Sequence, residues 1–209
     1  MQRLFQYYLT TFRPSWMAFL TKMVYSGKNL TFGKNFKCDG VPRILIDKTA
    51  QISFGDDVYL RRNVEVRAHK NANIQIGDQV RIDRSVRILG TNKATLTIGN
   101  GVRIGLNTVL NGGDSISIGE NVLISGYVYL QTSMHQHQVG TDINRQGYDH
   151  KEIKLGKDVW IGTHVTVMPG VKLAAGTVVG SNAVVTKSST IENLILTGIP
   201  AKPTKSREV

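Results

Sequence analysis

The sequence predicts an all-β solenoid, a stack of about six to seven triangular coils built from very short strands. An aliphatic residue or phenylalanine recurs at every sixth position through long blocks of the chain, and glycine often follows it directly. A helix would need spacings of three and four, and a strand of an open sheet would need alternation, so a period of six indicates a solenoid. The period-six positions are Phe54, Leu60, Val66, Ile76, Ile82, Ile88, Ile98, Ile104, Leu110, Ile118, Ile124, Leu130, Leu155, Ile161, Val167, Leu173, Val179 and Val185.

Turn-type residues interrupt the repeat after every third unit, which places the insertions at one corner of successive coils. Three insertions are short, at residues 70–73, 91–93 and 112–114, whereas residues 131–154 form one long loop. Long loops in compact domains are usually functional or disordered. We therefore expect a helical or capping segment at 1–43, a solenoid domain at 44–190 with the loop insertion 131–154, and a tail at 191–209.

The first 28 residues show helical spacing and predict two short helices interrupted at Pro14. One expectation, which we favour, is that these helices cap the open apolar end of the solenoid. The other is an anchor at a membrane interface, because basic residues flank the aromatic ones. The apolar positions are Leu4, Phe5, Tyr8, Leu9, Phe12, Trp16, Phe19, Leu20, Met23 and Val24, and the basic residues are Arg3, Arg13, Lys22 and Lys28.

Composition narrows the class of protein further. The net charge is +11 over 209 residues, and residues 1–100 hold 16 basic and 7 acidic residues, which is +9. No run of five Lys or Arg and no nucleic-acid-binding motif accompanies this charge, so we expect small phosphate-bearing ligands rather than nucleic acid.

The single cysteine, Cys38, cannot form an internal disulfide. With no signal peptide and no apolar run of about 20 residues, we expect a cytoplasmic location.

Two hexapeptide units, IGDQVR at 76–81 and IGTHVT at 161–166, resemble the repeats of the left-handed β-helix acyltransferases. The resemblance covers about residues 44–203. It implies a left-handed parallel β-helix, acetyl-CoA as the acyl donor, and a homotrimer with each active site between two subunits.

The long loop carries the predicted base. Residues 115–124, followed eleven residues on by His135, are similar to the galactoside and maltose O-acetyltransferase pattern, and the His-x-His pair at 135 and 137 resembles the polysaccharide and O-antigen acetyltransferases. The resemblance implies that His135 is the general base and that His137 orients or binds the sugar. On residue type alone, a loop histidine is more often a surface residue, although imidazole suits proton transfer near neutral pH.

Residues 157–165, 168–171, 179–187 and 198–202 look like the most recognisable block of the same acetyltransferases. The resemblance implies a donor groove between neighbouring subunits. For the transfer itself we expect a backbone N–H near Ser125 or Gly126 to stabilise the oxyanion. The expected donor-binding residues are Ser125, Thr163, Ser181, Thr186, Lys187 and Lys202.

One departure concerns the acceptor. Galactoside acetyltransferases carry an acceptor-binding asparagine where this chain has Gly105, so Asn107, Asn111 or Asp114 is expected to contact the sugar. The acceptor is therefore not expected to be a simple β-galactoside.

We expect direct acetyl transfer to a sugar hydroxyl of a cell-envelope polysaccharide precursor, with Cys38 as a packing residue rather than a nucleophile. Two alternatives stay open: N-acetylation of an amino sugar or a xenobiotic, and a non-enzymatic β-helix scaffold. No metal is expected, because the histidine pair five residues apart that is typical of the related γ-class carbonic anhydrases is missing.

Overall fold

The computed structural model describes residues 1–208 and is a parallel β-solenoid with three faces. The first face contains Leu30–Phe32, Gln51–Phe54, Asn73–Ile76, Thr95–Ile98, Ile116–Ile118, Ile153–Leu155 and Lys172–Leu173. The second face contains Lys37–Cys38, Tyr59–Leu60, Arg81–Ile82, Arg103–Ile104, Leu123–Ile124, Trp160–Ile161, Val178–Val179, Leu194–Thr197 and Lys202–Ser206. The third face contains Arg43–Ile46, Glu65–Ala68, Arg87–Gly90, Val109–Gly112, Tyr129–Gln131, Thr166–Val167 and Val184–Val185.

The core confirms the period of six. Every one of the period-six side chains is at most 3 % exposed, and they stack on one another through the coils, as in the register of Leu110 with Ile88 and Leu130. Valines four residues further on, such as Val80 and Val102, are also buried. Full burial of an aliphatic side chain contributes about 1.5–3 kcal/mol, so this internal column is the main source of stability.

The three corners of the coil differ in length. The turn between the second and third faces is always four residues, 105–108, 125–128, 162–165 and 180–183 in the upper coils, and we call it the tight corner. Its third residue has a left-handed backbone, with φ of 55° at Asn107 and 57° at His164. The turn between the third and first faces holds the insertions, as predicted, and we call it the loop corner.

The solenoid extends beyond the boundaries expected from the sequence. Its first coil is formed by Leu30–Phe32, Lys37–Cys38 and Arg43–Ile46, which lie largely inside the segment 1–43. Phe32, Cys38 and Ile44 keep the spacing of six, but a cysteine replaces the aliphatic residue at the middle position. Strands Leu194–Thr197 and Lys202–Ser206 of the expected tail join the second face.

The amino-terminal segment is helical from residue 2 to residue 24. It comprises α1 (Gln2–Tyr7), a π-helical turn (Tyr8–Phe12) and α2 (Arg13–Val24), so Pro14 lies at the start of α2 and does not break the rod.

Helix α2 covers the first coil, but with a different face from the expected one. The buried residues are Pro14, Ala18 and Thr21, and the Thr21 hydroxyl lies 3.3 Å from the sulfur of the fully buried Cys38. Helix α2 thus packs on the first coil through small side chains, which allow a closer approach than the aromatic side chains of the same helix would. The large apolar side chains point outward: Leu4, Phe5, Tyr8, Leu9, Phe12, Trp16, Phe19, Met23 and Val24 are all exposed.

Candidate functional site

His135 is held on a hairpin that projects from the loop corner. Strand Ser133–His135 pairs antiparallel with Tyr148–His150, and a 3-10 turn at Ile143–Arg145 lies between them. The hairpin is fixed at its base, where the Ser133 hydroxyl lies 2.8 Å from Nδ1 of His150. Gly113 is packed beneath this contact, since a Cβ atom there would lie 2.8 Å from His150 Nδ1. The backbone therefore positions the predicted base in spite of the length of the loop.

The rings of His135 and Tyr148 are in contact, with centroids 4.1 Å apart and planes tilted by 40°. His137 turns back on the hairpin and donates from Nδ1 to the carbonyl oxygen of His135 over 3.0 Å. Both histidines are exposed, and within residues 1–208 neither ring nitrogen of His135 hydrogen-bonds a protein group. His135 is thus presented to solvent with its ring nitrogens available for a substrate.

The predicted donor residues Ser125, Thr163 and Ser181 come together at the tight corner. The Thr163 hydroxyl donates to the carbonyl oxygen of Gly126 over 2.8 Å. On the next coil, the Asn182 N–H donates to the Thr163 carbonyl over 2.9 Å, which places Ser181 above Thr163. A short ridge of small and polar side chains results.

The two candidate oxyanion donors at the tight corner differ in whether their backbone N–H group already has an acceptor. The Ser125 N–H already donates to the Ile161 carbonyl over 2.9 Å, so Gly126 is the better candidate of the two for this backbone role. In the part of the chain that the structure describes, the Gly126 N–H has no backbone acceptor. It lies against Gly105, where a Cβ atom would stand 2.5 Å from the Gly126 nitrogen. Glycine at position 105 therefore leaves this amide uncovered.

Three aromatic residues at this corner were not identified from the sequence. Trp160 is 48 % exposed, and its indole N–H donates to Ser125 Oγ over 3.2 Å. The rings of Tyr127 and His164 are stacked at 4.8 Å with an angle of 3°. The sequence could have pointed to two of them through their position in the repeat. Tyr127 and His164 both occupy the left-handed third position of the turn, where asparagine is more usual.

The remaining predicted residues divide between the corners. Asn111 donates to the Tyr129 hydroxyl over 3.1 Å, and the N–H of Asp114 donates to the buried Thr132 hydroxyl over 3.0 Å, both below the His135 hairpin. Asn107 lies at the tight corner instead. The other three are all exposed: Thr186 and Lys187 follow the last strand of the third face, and Lys202 lies on the outermost strand of the second face.

A single chain does not bring His135 to Gly126. The two corners are separated by the width of the third face, on the order of 15 Å for strands with a rise of about 3.3 Å per residue. Proton transfer needs heavy atoms about 2.6–3.2 Å apart. Within one chain, His135 and Gly126 therefore lie too far apart to act on the same reacting group.

Cys38 takes no part in this site. It is fully buried beneath α2, and burial raises the pKa of its thiol. Among residues 1–208, no group of three or more His, Cys, Asp or Glu side chains is arranged to hold a metal ion. Over the same stretch, no helix has the length and apolar character to cross a membrane.

A profile of the family described as bacterial transferase hexapeptide (six repeats) matches residues 152–187. The chain is 35 % identical over 89 residues to the galactoside O-acetyltransferase of Escherichia coli K12, with 42 % of each protein covered. It is 32 % identical over 97 residues to the putative lipopolysaccharide biosynthesis O-acetyl transferase WbbJ of the same strain, covering 43 % of this chain and 49 % of that relative. The chain thus spans less than half the length of these relatives.

Solved structures share the fold over most of their length. The polysialic acid O-acetyltransferase OatWY superposes with a TM-score of 0.63 at 21 % identity, covering 85 % of this chain and 88 % of that one. A mutant of the N-acyltransferase AntD from Bacillus cereus, in complex with dTDP-4-amino-4,6-dideoxyglucose and coenzyme A, gives 0.62 at 23 % identity, covering 92 % and 89 %. These structures confirm the left-handed parallel β-helix, and the family profile with the two Escherichia coli relatives confirms the resemblance to hexapeptide-repeat acetyltransferases.

Proposed function

We propose that this protein is an acetyl-CoA-dependent O-acetyltransferase that acts on a sugar hydroxyl of a cell-envelope polysaccharide precursor. The observation that carries the proposal is the hairpin, which holds an exposed histidine out from a hexapeptide-repeat β-helix. The O-acetyltransferase relatives named above support the reaction, and a lipopolysaccharide role in one of them supports the substrate class.

In the proposed reaction, His135 removes the proton from the acceptor hydroxyl as its oxygen attacks the acetyl carbonyl. The Gly126 N–H donates to the oxyanion of the tetrahedral intermediate. The C–O bond forms, the C–S bond breaks, and His135 returns the proton to the sulfur of CoA. The transfer is direct in this proposal, and the buried thiol of Cys38 is not accessible as a nucleophile.

The active unit is a homotrimer in this proposal. The hairpin of one subunit lies against the tight corner of its neighbour. His135 of one subunit then faces Gly126 of the other, and acetyl-CoA binds between them. Trp160 and Thr163 then line the donor groove, with Ser125 and Ser181 beside them, while Asn111 and Asp114 lie on the acceptor side. The gap between the two corners within one chain supports this arrangement.

The proposed place of action is the inner face of the cytoplasmic membrane. The outward side of the amino-terminal helix is aromatic, and no acidic residue precedes Asp39, whereas Arg3, Arg13 and Lys22 are spread along it. Basic amphipathic helices with aromatic faces bind anionic lipid surfaces. Such a contact would hold the enzyme near a membrane-bound acceptor.

The deciding experiment measures CoA release from acetyl-CoA with hydroxyl and amine acceptors from the cell envelope, and with chloramphenicol. Acceptor-dependent release should fall by a factor of about 100 or more in His135→Ala, the usual effect of a lost general base. The matched controls are His137→Ala and His164→Ala, of which the first should cost much less and the second should not abolish release.

The outcome separates the alternatives. Acetylation of amino sugars alone would favour the N-acetyltransferase alternative, to which the AntD likeness lends weight. Release that survives in His135→Ala would assign the base elsewhere, with His164 at the tight corner as the next candidate. An absence of both release and CoA binding would leave the scaffold alternative.

A further inference from the structure

The second face carries a ladder of outward side chains in strict register. Lys37, Tyr59, Arg81, Arg103 and Leu123 occupy successive rungs, each paired with the next. Neighbouring rungs of a sheet lie about 4.8 Å apart, so the bases of the Arg81 and Arg103 side chains are about that distance from each other. Both side chains are exposed.

Carboxylates compensate the arginines around this pair but not the pair itself. Arg61 is held by Asp39, with Nε 3.0 Å from Oδ2, and Arg84 lies 3.7 Å from Asp83. In the chain as far as residue 208, neither Arg81 nor Arg103 has an acidic group within salt-bridge distance. Like charges directly opposite on neighbouring strands are destabilising. An uncompensated arginine pair of this kind is suited to bind an anion.

The pair lies in a groove that extends from the amino-terminal helix to the tight corner. A cavity of about 620 Å³ separates the helix, at Leu9 and Arg13, from the second face. A second cavity of about 310 Å³ extends to Ser125. Arg81 lines both, and Arg103 lines the second, so the arginines stand between the exposed helix and the candidate oxyanion site.

Tyr59 and Asp39 form a fixed wall of this groove. The Tyr59 hydroxyl donates to Asp39 Oδ1 over 2.6 Å, and burial together with this bond raises the pKa of Tyr59 to about 12. The tyrosine therefore stays neutral and keeps the carboxylate engaged. Asp39 is also paired with Arg61, which offsets its negative charge near Arg81.

We infer that this groove binds the diphosphate of a diphosphate-linked sugar acceptor, with Arg81 and Arg103 contacting the phosphate oxygens. The inference rests on the proposed function. Guanidinium groups bind phosphate through paired, charge-assisted hydrogen bonds. Leu123 lies on the strand next to Arg103, about 4.8 Å further along the stack. This spacing is about the width of a sugar ring, so a sugar attached to the bound diphosphate would lie over Leu123, beside Ser125. The carrier, nucleoside or prenyl, then extends toward the amino-terminal helix.

Calorimetric titration tests the inference without acetyl transfer. The probes are inorganic pyrophosphate, UDP-N-acetylglucosamine and a water-soluble short-prenyl diphosphate N-acetylglucosamine, with free N-acetylglucosamine for comparison. We expect Arg81→Gln/Arg103→Gln to raise the Kd of all three diphosphates at least tenfold, and Arg81→Lys/Arg103→Lys to restore part of the affinity. The control Arg43→Gln/Lys48→Gln removes two charges outside the groove and should leave each Kd unchanged.

The Kd values of the wild-type protein for the two diphosphate sugars identify the carrier. Tighter binding of UDP-N-acetylglucosamine indicates a nucleoside carrier, and tighter binding of the prenyl diphosphate sugar indicates a lipid carrier. Diphosphates that bind no better than free N-acetylglucosamine, or with the same Kd in the double Gln variant, would overturn the inference. Acetyl transfer to a phosphate-free glycan with an unchanged KM in that variant would do the same and would leave the proposed function intact.

Discussion

Gly105 and Gly126 lie on neighbouring coils of the tight corner, so close that a Cβ atom on Gly105 would stand 2.5 Å from the amide nitrogen of Gly126. The obstructing atoms belong to backbone, which cannot rotate away. A methyl group at this position must therefore push the two coils apart or cover the candidate oxyanion donor.

We accordingly predict that Gly105→Ala lowers both stability and activity. Overpacking costs about 1–3 kcal/mol, which corresponds to a fall in Tm of about 2–12 °C for a chain of this size. Acetyl transfer should decrease even at temperatures where the variant stays folded. Gly40→Ala is the control, since nothing lies within 4 Å of a Cβ atom there. Equal Tm values for the two variants would contradict the close approach.

A second prediction concerns the loop corner at Asp47. Its carboxylate accepts the N–H groups of Thr49, Ala50 and Lys70, and these bonds lower the pKa of Asp47 to about 2. Because the pKa is depressed on folding, the stabilisation is complete above the unfolded pKa of about 4 and disappears as the pH falls toward 2. We expect Asp47→Asn to have a lower Tm than the wild type at pH 6.

The difference in Tm should shrink steadily as the pH decreases from about 4 toward 2, where the wild-type carboxylate becomes protonated as well. Asp142→Asn, on the exposed hairpin, is the matched control and should show little difference at any pH. A gap for Asp47→Asn that is constant from pH 6 to pH 3 would refute the assignment of these bonds.

The core and the position of the loop could be predicted because the period of six reports directly which side chains point inward. The buried face of the amino-terminal helix could not, since aromatic residues usually mark a core and here Ala18 and Thr21 take that place. Spacing along the chain also conceals that His135 and Thr163 lie at different corners. Arg81 and Arg103 are 22 residues apart, one coil length, and this interval was a signal for the ladder.

A third prediction uses the two tryptophans, Trp16 and Trp160, as separate reporters. In Trp16→Phe, the remaining Trp160 should change its emission saturably as CoA is added, because its indole lies beside Ser125 in the proposed donor groove. In Trp160→Phe, the remaining Trp16 should not respond to CoA. If calorimetry detects CoA binding but the emission of Trp160 stays constant, the CoA site lies elsewhere in the protein.

A fourth prediction concerns lipid binding by the amino-terminal helix. In Trp160→Phe, the emission of Trp16 should shift to shorter wavelength with phosphatidylglycerol vesicles and not with phosphatidylcholine vesicles, and salt should reverse the shift. Phe12→Asp/Phe19→Asp should prevent sedimentation with the anionic vesicles. Val139→Asp, which alters an exposed apolar residue of the hairpin, is the control and should sediment normally. Equal sedimentation of both variants would rule out the helix as the lipid contact.

The last prediction addresses the shared active site. His135→Ala removes the proposed base, and Thr163→Tyr fills the tight corner beside Gly126, so each variant alone should be inactive. If the two corners that form a site belong to different subunits, mixed trimers contain some sites with an intact hairpin facing an intact corner. Co-expression in equal amounts should then restore about one quarter of wild-type activity, the random frequency of such pairs. Mixing folded homotrimers without exchange is the control, and inactive co-expressed trimers would mean that one subunit supplies both His135 and Thr163.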